Sequence, residues 1–150
     1  MALVACEIKG VFVAKGEGAT APVVLLSDKT GRKLPIFIGI WEAISINSAL
    51  QKEVLPRPFT HDLFIELLDR FTITLTSLKI DSIQDGVYYA QLVMNDETNE
   101  ELIDCRPSDG IAIAVRAGVP VFVEETVLDE AGTRDMILPE LVELASILQK

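Results

Sequence analysis

The chain has 150 residues, 49% of them hydrophobic, and a formal net charge of −10, which is enough apolar material for one self-sufficient domain. That charge excludes a protein that grips nucleic acid mainly through a basic face, and no apolar run approaches the roughly 20 residues a membrane helix needs. Cys6 and Cys105 lack metal-ligand spacing and read as buried thiols of a reducing compartment, so the expected protein is soluble, cytoplasmic and without a membrane partner.

The opening MALVACEIKG reaches Glu7 and Lys9 before a signal-peptide core could form. Residues 3–14, 22–27 and 33–38 read as strands, with Gly16, Gly18 and Asp28-Lys29-Thr30-Gly31 supplying turns, so that the last two make a hairpin. VVLLS and LPIFI are continuous apolar runs rather than alternations, the pattern of strands covered on both faces. Gly39 ends this unit. WEAISINSALQ (41–51) spaces small and apolar residues at helical intervals, predicting a helix that packs closely. After the bend VLPRP, Thr60 is the expected N-cap of a helix over 61–71, with Asp62 in its first turn.

ITLTSLKIDSI, the turn Asp85-Gly86, VYYAQLVM and ELIDCR then predict a three-stranded antiparallel meander. Ser108 is the expected cap of a helix over 109–117, which Gly118 ends, and residues 120–123 form a short strand. The chain beyond Thr126 holds a break at GTRD and then LPELVELASILQ, expected to be an acidic amphipathic helix on the surface with Pro139 in its first turn. Residues 124–150 carry seven acids and two bases, so this tail accounts for half the net charge. The organisation predicted is α+β: a single domain over 1–131 with a mixed, largely antiparallel sheet packed against helices, followed by a helical tail over 132–150.

One feature of the pattern carries chemistry. RPFTHD (57–62) returns forty-nine residues later as RPSD (106–109), each opening a helix. His61, the only histidine, is the candidate for acid–base work near neutral pH. Asp62 and Asp109 are its candidate catalytic partners. Arg57 and Arg106, with Thr60 and Ser108 beside them at helix N-termini, are candidates to bind a phosphate or carboxylate. Phosphodiester cleavage without a histidine pair generally uses a divalent ion held by carboxylates, and Glu42 and Asp104 are the additional acids available for Mg²⁺ or Mn²⁺; no nucleotide-cofactor fingerprint is present, so no organic cofactor is expected. The alternative is structural: the same arginines could brace the helix starts by pairing with Asp104, Glu42 or each other's aspartates.

Taken together, LPIFIGIWEAISINSAL, PRPFTHDLFIELLDRF, DGVYYAQL and IDCRPSDGIAIAVRAGVPVFVEETVL, in this order over residues 34–128, resemble the bifunctional nuclease domain family, small proteins of bacteria and archaea also found in plants. The resemblance implies an α+β domain, a homo-oligomer with a dimer favoured, and activity on RNA or DNA, which has been attributed to some members. Many relatives show Asp-Ala-Arg-Pro-Ser-Asp-Ala where this chain has Asp104-Cys105-Arg106-Pro107-Ser108-Asp109-Gly110. Two functions follow as expectations: a metal-assisted nuclease, or a non-catalytic oligomeric binding or regulatory module whose Arg-Pro-hydroxyl-Asp units are braces.

Overall fold

The computed structural model describes residues 2–16, 19–134 and 141–148. Strands β1 (Leu3–Gly16), β2 (Ala19–Ser27) and β3 (Lys33–Phe37) run antiparallel in succession, each strand pairing with the next. Helices α1 (Ile40–Leu50) and α2 (Thr60–Arg70) follow, then the meander β4 (Thr74–Gln84), β5 (Val87–Asn95) and β6 (Glu100–Cys105). Helix α3 (Pro107–Ala117), strand β7 (Val121–Glu124), helix α4 (Glu125–Ala131), strand β8 (Leu141–Glu143) and helix α5 (Leu144–Leu148) complete the chain.

One mixed sheet of order β3-β2-β1-β7-β4-β5-β6 results, with β8 on β1 as well. Among the described residues only β4 and β7 pair in parallel, and the helix α3 lies on the crossover between them. The expected α+β single domain is therefore what the chain forms. β1 spans the sheet's two halves: its first residues, Leu3–Cys6, pair with β7, whereas Phe12–Ala14 pair with β8. Val23, Val24, Leu25 and Leu26 of β2 are all buried, as the unbroken apolar run required. The β4–β5 hairpin turns on Asp85 and Gly86, both with positive φ (51° and 78°), the backbone of the tight turn that Asp-Gly favours.

Helix α3 lies between the sheet and the other two long helices, with Ile111, Ala112, Ile113 and Ala114 all buried. Small residues make that position tenable. A Cβ on Gly110 would lie 2.5 Å from Leu78 Cδ1 and 3.1 Å from Cys105 Sγ, so α3 approaches β4 more closely than alanine would allow. The departure from the usual motif is thus paired: a thiol at 105 adds volume beside the glycine at 110 that removes it. α1 buries Ala43, Ser45 and Ser48 in the same way.

Three expectations are corrected. Thr60 is the first residue of α2, not its cap: Phe59 occupies that position, and the Asp62 carboxylate accepts a hydrogen bond from the Phe59 N–H at 2.8 Å. Ser108 lies inside α3, buried, because Pro107, whose fixed φ suits a first helical position, starts the helix two residues earlier with Arg106 as N-cap. In the tail, α4 forms where no separate helix was expected, burying Val127 and Leu128. Of the helix expected over 138–149, the described residues form α5 at Leu144–Leu148, whereas Leu141–Glu143 extend instead along the edge that β1 offers. Leu144 is fully buried rather than part of a solvated face. Strand hydrogen bonds and burial outweigh a weak local helical pattern; Pro139 lies outside the described residues.

Candidate functional site

The first turns of α1, α2 and α3 face one another around a cleft of about 530 Å³ lined by Trp41, Glu42, Ser45, Thr60, His61, Arg106 and Asp109. Each helix starts where its sequence demands: after Gly39, after the Pro56-Arg57-Pro58-Phe59 bend, and at Pro107. Thr60 and His61 of the first Arg-Pro-hydroxyl-Asp segment therefore meet Arg106 and Asp109 of the second across the cleft, and α1 closes the third side.

His61 stands at the centre. Its Nδ1 is 2.7 Å from Ser45 Oγ and its Nε2 is 2.9 Å from Asp109 Oδ1. Arg106 donates to the same carboxylate in a two-pronged contact, Nε to Oδ2 at 2.8 Å and Nη2 to Oδ1 at 3.1 Å. Burial pushes the Asp109 carboxyl up, but the hydrogen bonds from Arg106 and His61 outweigh it and hold the group below the usual carboxylate range. Arg106 is held above its ordinary value, chiefly by its hydrogen bonds to Asp109, and the Glu42 charge across the cleft adds to this. The Arg106 side chain is 65% exposed, so its far edge faces solvent. The Trp41 ring is also exposed, on the cleft rim.

Behind His61, Arg116 ties the three helices together. Its Nε donates to Asp62 Oδ1 at 2.6 Å, its Nη1 to the Ala112 carbonyl at 3.0 Å, and its Nη2 to Ser45 Oγ at 3.1 Å and the Ser45 carbonyl at 3.3 Å. This guanidinium is buried. Asp62 is held below the usual range: burial raises it, and the hydrogen bonds from Arg116 and from the Phe59 N–H overcome that. Asp62 thus faces away from the His61 cleft, lining a separate hollow with Arg116 and Lys52.

The predicted residues divide accordingly. His61, Asp109, Arg106, Thr60 and Glu42 share the cleft, and Ser108 lines an adjoining hollow of about 470 Å³ that Arg106 and Glu42 also border. Asp62 belongs to the Arg116 pair. Asp104 is exposed on β6, opposite Gln91, and does not line the cleft. Arg57 is exposed and makes no ion pair among the described residues. Ser45 and Arg116 were not singled out by the sequence, where one looks like a small helix-packing residue and the other like a cation complementing a helix C-terminus. Their only signal is that a serine lies within the small-residue face of one helix and an arginine in the last turn of another. The two thiols are poor nucleophiles: burial raises Cys105 to about 12, with Asp109 and Asp104 adding to it, and raises Cys6 to about 11.

Three helix starts and an exposed, forked cation thus converge on one cleft. The chain belongs to the bifunctional nuclease domain family, whose model matches residues 23–135, somewhat wider than the motifs suggest. It is 38% identical over 135 residues to an uncharacterised protein of Mycobacterium tuberculosis (strain H37Rv), covering 89% of this chain and 79% of that protein. Bifunctional nuclease 2 of Oryza sativa subsp. japonica is 27% identical over 125 residues, covering 80% of this chain and 38% of that protein. Bifunctional nuclease 1 of Arabidopsis thaliana is 27% identical over 117 residues, covering 76% and 36%; the chain thus spans little more than a third of these plant proteins.

Proposed function

We propose that the His61 cleft hydrolyses phosphodiester bonds of RNA or DNA. The observation that carries this reading is the exposed Arg106 fork on the same wall as the sole histidine and its aspartate partner, in a chain whose family includes proteins named as nucleases. A guanidinium binds a phosphate through two parallel hydrogen bonds and offsets the charge that develops on its oxygens. The exposed Trp41 ring on the rim offers a face on which a base can stack. Asp109, held by His61 Nε2 at 2.9 Å, supplies the proton handling.

The carboxylates do not fit a resident divalent ion. Both oxygens of Asp109 are engaged, Asp104 stands off the cleft, and the described residues contain no group of three side chains suited to a metal. Glu42 alone remains, and a Mg²⁺ or Mn²⁺ ion entering with the substrate's own phosphates would find in it a single protein ligand. The chemistry native to the chain is therefore that of Arg106, His61 and Asp109.

The test is a cleavage assay on single-stranded RNA and DNA, with EDTA and with added Mg²⁺ or Mn²⁺, run beside Arg106→Ala and Asp109→Asn. Each variant should lose on the order of 100-fold or more in rate while melting as a folded protein. A wild type that cuts neither substrate under any of these conditions sinks the reading. It would favour the second one, a binding module, for which the mutual closure of Arg106 on Asp109 speaks. Family resemblance also supports a dimer in solution, which light scattering checks.

A further inference from the structure

We infer that His61 is a positioning residue, held with its proton on Nε2 by Ser45 and Arg116, and that Asp109 is the group that takes the proton at this cleft. The assignment of the proton-accepting group rests on the nuclease reading; the state of the imidazole does not.

The hydrogen bonds allow one direction. Arg116 has no lone pair to offer, so at 3.1 Å its Nη2 can only donate to Ser45 Oγ. Among the described residues the acceptor placed for the Ser45 hydroxyl proton is His61 Nδ1, 2.7 Å away. Nδ1 then contributes its lone pair, and the ring proton resides on Nε2, aimed at Asp109 Oδ1, which as a carboxylate only accepts. A proton on Nδ1 would instead set two donors against the oxygen of Ser45, which is buried, and leave its hydroxyl hydrogen without that acceptor.

The consequence is that the neutral ring has no free lone pair for water in the cleft. Asp109 does have a lone pair in reach. Its Oδ2 is held by Arg106 Nε at 2.8 Å, and Arg106, largely exposed and with no other ion pair among the described residues, is the group a substrate phosphate would draw away. With Arg106 turned to the phosphate, Oδ2 is released while Oδ1 stays on His61. The attacking water's oxygen then bonds to phosphorus and its proton passes to Asp109 Oδ2. The bond to the leaving oxygen breaks with its electron pair on that oxygen, which takes a proton from solvent, and Arg106 offsets the charge on the non-bridging oxygens.

Because the chain has one histidine, ¹⁵N NMR of the imidazole reads the state directly in ligand-free protein. The neutral ring should show one tautomer, protonated at Nε2, with an Nδ1 resonance typical of a hydrogen-bonded acceptor; Ser45→Ala should move that resonance to the position of a free lone pair. A proton on Nδ1 in the neutral wild type overturns the inference. In the cleavage assay, His61→Gln keeps an N–H for Asp109 and should retain activity within about 10-fold of wild type, whereas His61→Ala should lose about 100-fold or more. A Gln variant that melts as folded yet is as inactive as Ala refutes Asp109 as the proton acceptor. Complete inactivity of the wild type would refute the nuclease reading instead, leaving the NMR result to decide the tautomer.

Discussion

Arg32 and Arg106 each pair with an aspartate on a neighbouring turn of chain, Asp28 and Asp109, at nearly the same distance, 2.7 Å and 2.8 Å. Their surroundings differ completely. The Asp28 side chain is 1% exposed and accepts from the Thr30 N–H and hydroxyl, the Arg32 N–H and Arg32 Nε, while Arg32 extends to Asp129 and Glu125 on α4. Asp109 is 31% exposed, and its arginine has a free edge on a cleft. The first cluster closes the β2–β3 turn onto α4 with every charge answered within the fold; the second keeps one charge available to a ligand. An Arg–Asp pair is a brace or a site according to whether its donors are used up inside the protein.

Substitutions should separate the two. The largest effect is expected from Asp28→Asn, which leaves Arg32 and two backbone donors facing a weaker acceptor in a buried position and should destabilise by about 3–5 kcal/mol, read by urea or thermal unfolding. The same residue governs the acid limb. Burial raises Asp28, but the hydrogen bonds from Arg32 and Thr30 prevail and hold its folded pKa far below the ordinary value, as for Asp62 and Asp109. A depressed folded pKa contributes stability that is fully present above the unfolded value, about 4, and is lost as pH falls through that value towards the folded one. Melting temperature should therefore drop steeply below about pH 4, and less steeply in Asp28→Asn.

An intermediate effect is expected at the contact between α3 and β4. Gly110→Ala must displace the buried Leu78 and should cost about 1–3 kcal/mol; adding Cys105→Ala should restore part of that, because the thiol is the other neighbour of the new methyl. Equal melting of the single and double variants would show that the two positions are uncoupled. The smallest change in stability is expected from Arg106→Ala, no more than about 1 kcal/mol for so exposed a pair, although cleavage should fall more than any other readout. A large loss of stability on removing Arg106 would move its pair with Asp109 into the same class as the Asp28 cluster.

Much of this was legible beforehand. The strands 3–14 and 33–38, the meander and the two helices opened by Arg-Pro units follow from local signals: unbroken apolar runs, Asp-Gly at a hairpin tip, Pro107 starting a helix and Gly118 ending it. The repeat of Arg-Pro-hydroxyl-Asp marked His61, Arg106 and Asp109 as cleft residues. The same repeat did not reveal the partner of Asp62, since Arg116 lies fifty-four residues away and no local pattern pairs them. The tail was misread for a related reason. Its helical spacing is real, but the free edge of β1 is a property of the sheet.

The sequence by itself thus determined most of the elements up to β7, the family and the residue types at the site, because propensity, capping and hydrophobic period act over a few residues. Only the tertiary structure decided which aspartate meets which arginine, that Ser45 backs His61, and that one Arg–Asp pair is sealed while another stays open. Those outcomes depend on contacts between chain segments far apart in sequence and on how much water each contact excludes, quantities fixed only when the sheet and the three helices have packed.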